Sequence, residues 1–213
     1  MHDTPAPTGR FISFEGIDGS GKSTQARLLA EDFAAQGIDA ILTREPGGSD
    51  GAEEIRRLLV EGEPNRWSAE TELLLFTAAR RDHLERRILP ALTAGRMVIC
   101  DRFADSTRVY QGATRGDLRA KVDLLHDTMI GREPDLTLII DMDPKRALSR
   151  GLARASGEDR FEDFGAEFQE TLRNGFVELA RSDPARCAVI SGEGTPAEVA
   201  QAVRRSVAER LAL

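Results

Sequence analysis

Lysine and cysteine are both scarce in this sequence. Only three of its 29 basic residues are lysines, at positions 22, 121 and 145, so nearly all of the positive charge is carried by arginine. This skew reflects overall composition, and an arginine is therefore given a role below only where its position supports one. The two cysteines, Cys100 and Cys187, lie beside or inside apolar runs and lack the spacing of disulfide or zinc-binding pairs. We expect both to be reduced core residues.

Long apolar runs and an excess of positive charge are also missing. No run approaches the ~20 apolar residues that span a bilayer, and the N-terminal MHDTPAPTGR lacks the basic-then-apolar pattern of a secretory signal. The formal net charge of −7 argues against a broad basic face for nucleic acid. We therefore expect a cytoplasmic protein whose partners include neither a membrane nor nucleic acid.

The side-chain combinations of nucleophilic and metal-dependent hydrolases are not evident either. His83 and His126 fall inside helical patterns without a Cys or His at ligand spacing, so they are interpreted as surface or packing residues. No Ser-His-Asp or Cys-His arrangement can be recognised, and nucleophilic catalysis has no support.

Apolar runs and amphipathic stretches alternate along the chain, which predicts an α/β domain with a parallel sheet. Residues 1–9 are interpreted as a flexible tail and residues 10–213 as one domain, without internal repeats or long linkers. Strands are predicted at 11–15, 38–43, 97–101, 135–141 and 187–191. Helices are predicted at 22–36, 52–61, 68–94, 117–130, 144–154, 161–182 and 196–211.

The first predicted strand runs into a phosphate-binding motif. The sequence G-x-x-x-x-G-K-[ST] is matched at every fixed position, followed by Thr24, and a predicted helix begins within it. Glycines let backbone N–H groups converge on a phosphate, Lys22 supplies charge to the β- and γ-phosphates, and the Ser23 hydroxyl is suited to Mg²⁺. The alternative, a glycine-rich turn with an incidental lysine, does not explain this context. The predicted ATP-binding residues here are Gly16, Ile17, Asp18, Gly19, Ser20, Gly21, Lys22, Ser23 and Thr24. The motif predicts a three-layer P-loop NTPase fold with a five-stranded parallel sheet flanked by helices.

A second motif is the apolar run MVICD, which ends in Asp101. A carboxylate at the tip of a buried strand is typical of a Walker-B-like residue close to Mg²⁺. The alternative is an aspartate that only caps the following helix. With a P-loop present, we list Ser23 and Asp101 as candidate metal ligands.

Three further clusters complete the pattern: TREPGG (43–48), LLLFTAARRDH (73–83) and DRFADSTRVYQG (101–112). Together with GIDGSGKS and PDLTLIID, and in this order, they resemble the thymidylate kinase family from Arg10 to the last predicted helix. The resemblance implies a transferase that uses Mg²⁺-ATP to convert dTMP into dTDP for dTTP synthesis, by direct in-line phosphoryl transfer. It also implies a homodimer built on the long helices, including 68–94.

The resemblance assigns an acceptor site as well. Arg44 and Arg102 correspond to the pair that grips the dTMP phosphate, Phe76 to the ring that stacks on thymine, and Arg80 to a donor to a base carbonyl. For Phe76 the alternative is a core aromatic, and for Arg44 it is a solvated loop residue. Further implied acceptor-site residues are Arg56, Asp101, Ser106, Thr107, Tyr110 and Gln111, where Arg56 is equally well read as a solvated helix residue.

Two positions leave questions open. Asp18 matches an acidic family position associated with either the acceptor's sugar hydroxyl or the metal site. Phe103 departs from the Tyr or His that more often follows the Asp-Arg pair, so a hydrogen bond from this position is in doubt.

Phosphoryl transfer needs cations beyond Lys22. Some family members carry an arginine inside the P-loop, where this chain has Gly19. The segment 150–163 resembles the bacterial-type lid, and it offers Arg150 for ATP binding and Arg154 and Arg160 for catalysis; its alternative interpretation is a solvated charged loop. The full catalytic set is then Lys22, Asp18, Arg102, Arg154 and Arg160. The SGEGTP segment (191–196) matches an adenine-proximal loop.

Two other functions remain to be separated from this one. The first is a P-loop kinase for a different nucleoside or nucleotide, which TREPGG and the Phe76–Arg80 pair disfavour. The second is a nucleotide-binding switch without catalysis, in which the acceptor arginines would have no role.

Overall fold

A computed structural model describes residues 9–62, 66–114, 118–152 and 165–212. In these ranges the chain forms five strands: β1 (Phe11–Glu15), β2 (Ala40–Arg44), β3 (Met97–Asp101), β4 (Leu136–Asp141) and β5 (Cys187–Ser191). The α-helices there are α1 (Lys22–Ala35), α2 (Asp50–Val60), α3 (Ala69–His83), α4 (Leu89–Thr93), α5 (Ala104–Thr114), α6 (Arg119–Leu125), α7 (Pro144–Leu152), α8 (Gly165–Ser182) and α9 (Pro196–Leu211). Two π-helical turns, Leu84–Ile88 and His126–Ile130, follow α3 and α6.

The strands pair in parallel in the order β2-β3-β1-β4-β5. β1, at the centre, is buried along its whole length, which explains its nearly continuous apolar sequence. Phe14 is aligned with Asp101 of β3 and with Leu138 of β4. The loops that follow β1 and β3 therefore leave the same edge of the sheet side by side, which is where ligands bind in open α/β sheets.

Helices cover both faces of the sheet and make three layers. On one face, Ile12 and Phe14 pack against Phe33 of α1 and Val203 of α9. The other face carries two clusters, one around Phe11 with the segment from α3 to α4, and one around Ile139 with α8. This side-chain alternation fixes the register of β1, because a one-residue slip would exchange its two faces.

The predicted fold class is confirmed, and so are the bounds of three strands, β1, β3 and β5. The long helix predicted at 68–94 is a continuous helical segment in which a π-turn separates α3 from α4. Gly37, Gly95 and Gly131 follow helices with positive φ, as expected for helix C-termini.

Helix α5 was not predicted, because no helical pattern is recognised between residues 94 and 117. The reason is that this helix buries polar side chains: Asp105, Thr107, Arg108 and Gln111 are all nearly inaccessible. The usual sequence signal of a helix is an apolar stripe with helical period. This stripe is absent from α5, because polar side chains occupy positions that the rest of the protein covers.

Both cysteines are buried and unpaired, as predicted. Gly9, which was assigned to the tail, is fixed by a hydrogen bond from its N–H to the carbonyl of Leu92 (3.1 Å), whereas residues 1–8 lie outside the described ranges. In those ranges, none of the helices combines the length and the apolar character that crossing a membrane requires.

Candidate active site

The loop between β1 and α1 has the shape that its glycines allow. Gly16, Gly19 and Gly21 have φ values of 133°, 80° and 101°, a region that other residues rarely occupy. A Cβ at Gly19 would lie 1.9 Å from the carbonyl oxygen of Ala147 in α7. A Cβ at Gly21 would meet nothing within 4 Å among the described residues. The loop is thus packed tightly on α7 and open at the start of α1, where an anion can reach the helix N-terminus.

Lys22, the first residue of α1, is buried against this loop. Its Nζ donates to the carbonyl of Ile17 at 2.8 Å and is 3.9 Å from the Asp18 carboxylate. Burial, followed by the charge of Arg102, lowers the pKa of Lys22 to about 8, although Asp18 and two other carboxylates oppose the shift. The side chain is preorganised for an anionic ligand whose charge would restore its proton affinity.

Asp18 and Arg102 form an ion pair next to this lysine. The Arg102 guanidinium also donates to the Ser106 hydroxyl (2.9 Å) and to the Gly16 carbonyl (3.3 Å), and the Tyr110 hydroxyl donates to Asp18 (2.8 Å). Burial favours the neutral acid, but Arg102 and Lys22 together hold the pKa of Asp18 at about 2. Asp18 is therefore a permanent anion that joins the P-loop to α5.

Glu15, for which no role was predicted, binds the turn that follows Arg102. Arg102 has a left-handed backbone (φ 72°), which is unfavourable for a residue with a side chain. Glu15 is fully buried and accepts hydrogen bonds from the Phe103 N–H (2.7 Å) and the Ser106 hydroxyl (2.6 Å), which secures this turn. Burial and the nearby Asp105 raise its pKa to about 7. The sequence feature that could have indicated a role for Glu15 is its charge at the end of an otherwise apolar buried strand.

Asp101 and Ser23 line one open pocket of about 500 Å³ at the carboxyl edge of β2 and β3. The Oδ1 atom of Asp101 is buried and has no hydrogen-bond partner among the described residues. Nor do those residues hold a cluster of three His, Cys or acidic side chains suited to a metal. One carboxylate, one hydroxyl and the phosphates of a ligand are what Mg²⁺ normally requires, so the residues present fit that ion.

The segment 43–48 at the end of β2, the predicted acceptor loop, contributes Arg44 to the same pocket. Its guanidinium is paired with both oxygens of Glu53 (2.7 and 3.2 Å), and Glu53 also accepts from the Gly48 N–H (2.9 Å). Arg56 donates to the carbonyl of Pro46, which follows a cis peptide bond. Arg44 is at the surface, whereas Arg56 braces the loop.

The residues predicted to read the base lie on α3 and α5, which pack together. Phe76 is half-buried and one helical turn before Arg80, which is buried. The Arg80 guanidinium donates to the Thr107 hydroxyl at 2.9 Å. Gln111, also on α5, is nearly inaccessible.

Two aromatic residues shape the same region. Tyr110 meets the rings of Phe168 and Phe176 edge-on, at centroid distances of 6.5 and 6.4 Å. Phe103 has no polar tip to offer; instead its buried ring lies under the Arg80 guanidinium, 5.2 Å from ring centroid to Cζ, and edge-on to Phe11. At this position the chain therefore offers an apolar support for Arg80 and no side-chain hydrogen bond.

Of the three predicted lid arginines, Arg150 is the one that the structure describes. It lies near the end of α7 with its Nη1 3.4 Å from the sulfur of Met142. Arg154 and Arg160 lie outside the described residues. Helix α7, at whose end the predicted lid begins, contacts the P-loop where the Ala147 carbonyl lies against Gly19.

The geometry brings the predicted donor and acceptor residues to one edge of one sheet. A glycine-shaped loop before a helix, a buried lysine and a strand-end aspartate define a P-loop nucleotide-binding protein of the α/β class. Thymidylate kinase is the family whose model matches residues 14–203. The chain belongs to the thymidylate kinase family.

The similarity extends over nearly the whole chain. The chain is 75% identical to the thymidylate kinase of Dinoroseobacter shibae over 192 residues, which cover 90% of this chain and 93% of the relative. It is 51% identical to that of Caulobacter vibrioides, over 96% of this chain and 99% of the relative. The crystal structure of the Ehrlichia chaffeensis thymidylate kinase superposes with a TM-score of 0.76 at 38% identity, covering 94% of this chain and 99% of the other.

The contact between Gly19 and α7 gives a first prediction. In Gly19→Ala the new Cβ must move away from the Ala147 carbonyl, which distorts the predicted phosphate-binding loop. We expect ATP affinity, measured by calorimetry, to fall by about tenfold or more, since ~1.4 kcal/mol is sufficient.

Gly37→Ala is the matched control. Gly37 also has positive φ (74°), but a Cβ there meets nothing within 4 Å among the described residues. Both variants should lose about 1 kcal/mol of unfolding free energy from backbone strain, and only Gly19→Ala should lose ATP affinity. Equal dissociation constants for the two variants would contradict the steric argument.

Lys22 gives a prediction on pH. Its amine is charged below its pKa of about 8 and neutral above it, while ATP binding favours the charged form. ATP binding must then take up a proton at high pH, and affinity should fall roughly tenfold from about pH 7.5 to pH 9. Lys22→Met should bind weakly with no such slope; a wild-type protein as flat as this variant would refute the assignment.

Proposed function

We propose that this protein is an Mg²⁺-ATP-dependent dTMP kinase that transfers the γ-phosphoryl group of ATP directly to dTMP, without a covalent intermediate. The observation that carries the proposal is the position of Arg102. One guanidinium contacts the P-loop at Gly16 and Asp18 and helix α5 at Ser106 and Tyr110. A group in this place can neutralise charge between donor and acceptor, which is the main requirement of phosphoryl transfer.

On the donor side, the loop amides and Lys22 hold the phosphate chain of ATP. Ser23 and Asp101 would hold Mg²⁺, which when bound supplies positive charge to the β- and γ-phosphate oxygens. Arg150 adds a cation at the base of the lid. We infer that the SGEGTP segment (191–196) lies close to the adenine. It is tied to the start of α7, because Glu193 accepts from the N–H of Asp143, one residue before that helix (2.8 Å).

On the acceptor side, Arg44 and Arg102 grip the dTMP phosphate. Both are already paired with carboxylates, Arg44 with Glu53 and Arg102 with Asp18. The phosphate of dTMP has to compete with these partners, and it does so well because bidentate guanidinium–phosphate pairs are strong. Asp18 keeps Arg102 oriented while the acceptor arrives.

The nucleoside is bound between α3 and α5. Phe76 stacks on the base, Arg80 donates to a base carbonyl, and Thr107 and Gln111 contribute further polar contacts. Tyr110, held by its hydrogen bond to Asp18 and by two phenylalanine rings, packs against the 2′ carbon of the sugar. This rigid wall disfavours a ribose hydroxyl.

The lid, about 150–163, closes over ATP and excludes water. Arg154 and Arg160 supply the transition-state charge that some relatives place in the P-loop. The chain has Gly19 at that position, and the contact of Gly19 with Ala147 supports a source of charge outside the loop.

We also infer a cytoplasmic homodimer. Leu74 on α3, Leu124 on α6 and Met129 after α6 are 57%, 62% and 51% exposed, and α3 contacts the turn that follows α6. Such apolar residues on adjacent segments support a protein interface. Analytical ultracentrifugation that shows only a monomer at micromolar concentration would contradict it.

A coupled assay of ADP formation with dTMP, dUMP, UMP, CMP and AMP tests the function. We expect kcat/KM to be highest for dTMP. Little preference among the acceptors would indicate another nucleotide kinase. ATP binding without acceptor-dependent turnover would indicate a switch instead.

Phe76→Ala tests the base site. Stacking on an aromatic ring contributes ~1–3 kcal/mol per base, so the KM for dTMP should rise about tenfold or more while the KM for ATP stays within about twofold. Phe76→Tyr keeps the ring and should remain close to wild type. Equal changes in both KM values would indicate that Phe76 serves the fold.

Arg160→Ala tests the lid. Loss of a transition-state cation should reduce kcat by roughly 10² or more, with ATP affinity largely retained. The same result for Arg154→Ala would assign the role to that residue. Arg181→Ala, on the exposed side of α8, is the control. An unchanged kcat in both lid variants would remove these arginines from the mechanism.

A further inference from the structure

The acceptor loop contains a buried carboxylate that the mechanism above does not use. Glu45, directly after Arg44, is 5% exposed. Its side chain points away from the surface position of Arg44 and toward α3. A carboxylate in such a place is costly to bury unless its oxygens are fully paired.

Glu45 is paired on both oxygens. Oε2 accepts from the Nε of Arg80 at 2.7 Å, and Oε1 is 2.9 Å from the Nδ1 of His83. Its backbone N–H donates to the carbonyl of Asp101 (2.9 Å). One residue therefore touches the base-reading helix α3 and the strand end that carries the candidate metal ligand.

His83 continues the connection. Its ring is fully buried, and its Nε2 is 2.7 Å from the Thr43 hydroxyl at the beginning of the acceptor loop. A Cβ at Gly48, at the other end of the loop, would lie 2.4 Å from the same Nε2. The imidazole thus contacts the loop before, within and after its cis-proline turn. Of the two predicted interpretations of His83, surface and packing, its burial supports packing, and the ring also makes polar contacts.

Arg80 is held from three sides. Glu45 fixes Nε, while Nη2 donates to the Thr107 hydroxyl (2.9 Å) and to the Phe103 carbonyl (3.2 Å). The ring of Phe103 supports the flat face of the guanidinium. Because Nε and Nη2 are committed to the protein, the direction in which the rest of the guanidinium faces is set by these partners.

The energetics favour a role in orientation. A buried ion pair is often no more stabilising than apolar residues of the same volume, because desolvation offsets the attraction. What the pair does supply is a unique geometry for a group that must meet a ligand. Supporting residues of this kind commonly determine how well a binding group is aligned.

We propose that Glu45 and His83 are positioning residues of the acceptor site, which hold Arg80 and the loop 43–48 as one unit. The base-reading guanidinium and the phosphate-gripping Arg44 then keep a fixed mutual orientation. This inference rests on the proposed function, because it assumes that the ligand at Arg80 is the base of a nucleoside monophosphate.

The test uses Glu45→Gln, which keeps the shape and removes the charge. The KM for dTMP is expected to rise about tenfold or more, since a charge-assisted hydrogen bond contributes ~1.5–3 kcal/mol. The KM for ATP should stay within about twofold. His83→Gln should shift the KM for dTMP in the same direction without leaving a buried charge unpaired, which keeps the test available if Glu45→Gln folds poorly. Glu85→Gln, an exposed partner of Arg81 on the adjoining turn, is the control.

A double-mutant cycle separates positioning from general stability. In an Arg80→Ala background there is no guanidinium to orient, so Glu45→Gln can act only through the loop 43–48 and should raise the KM for dTMP by a smaller factor than it does in the wild-type protein. A full additive effect in that background, or equal changes in the KM values of dTMP and ATP, would overturn the inference. If the wild-type protein itself shows no preference for dTMP, the proposed function fails instead.

Discussion

The ion pair between Arg102 and Asp18 is the interaction on which the arrangement of the site depends. Asp18 belongs to the P-loop, and Arg102 begins the segment that leads into α5, so the pair joins the two halves of the site. It requires a left-handed backbone at Arg102, and this backbone is held by the fully buried Glu15. A donor loop alone would bind a triphosphate; in the proposed function, the link to α5 aligns an acceptor with it.

The acceptor arginines share a design in which each has a carboxylate of its own. Arg44 is paired with Glu53 at the surface, Arg102 with Asp18 in a partly buried position, and Arg80 with Glu45 in the interior. The degree of burial of each ion pair matches the function proposed for its arginine. An exposed pair is weak and opens for an incoming phosphate, whereas a buried pair keeps its geometry and presents a fixed edge to a base.

The sequence predicted the sheet, the P-loop and the strand-end Asp101 because apolar runs, glycine spacing and a strand tip are local signals. It missed α5 because that helix buries polar residues such as Asp105, Arg108 and Gln111, so the hydrophobic pattern was lost. Glu15, Glu45 and His83 were missed for a related reason. Their importance comes from partners between 35 and 91 positions away along the chain, which no local pattern reveals. The roles of the predicted site residues rest on family resemblance and remain proposals.

The tight seat of Gly19 against the carbonyl of Ala147 has an evolutionary consequence. In this chain the backbone of α7 occupies the volume that a side chain on the loop would need. A lineage with this packing cannot acquire a loop cation by one substitution, because the helix would have to shift first. The location of the additional positive charge is therefore inherited together with the position of α7. It can move into the loop only when residue 19 and the position of α7 change together.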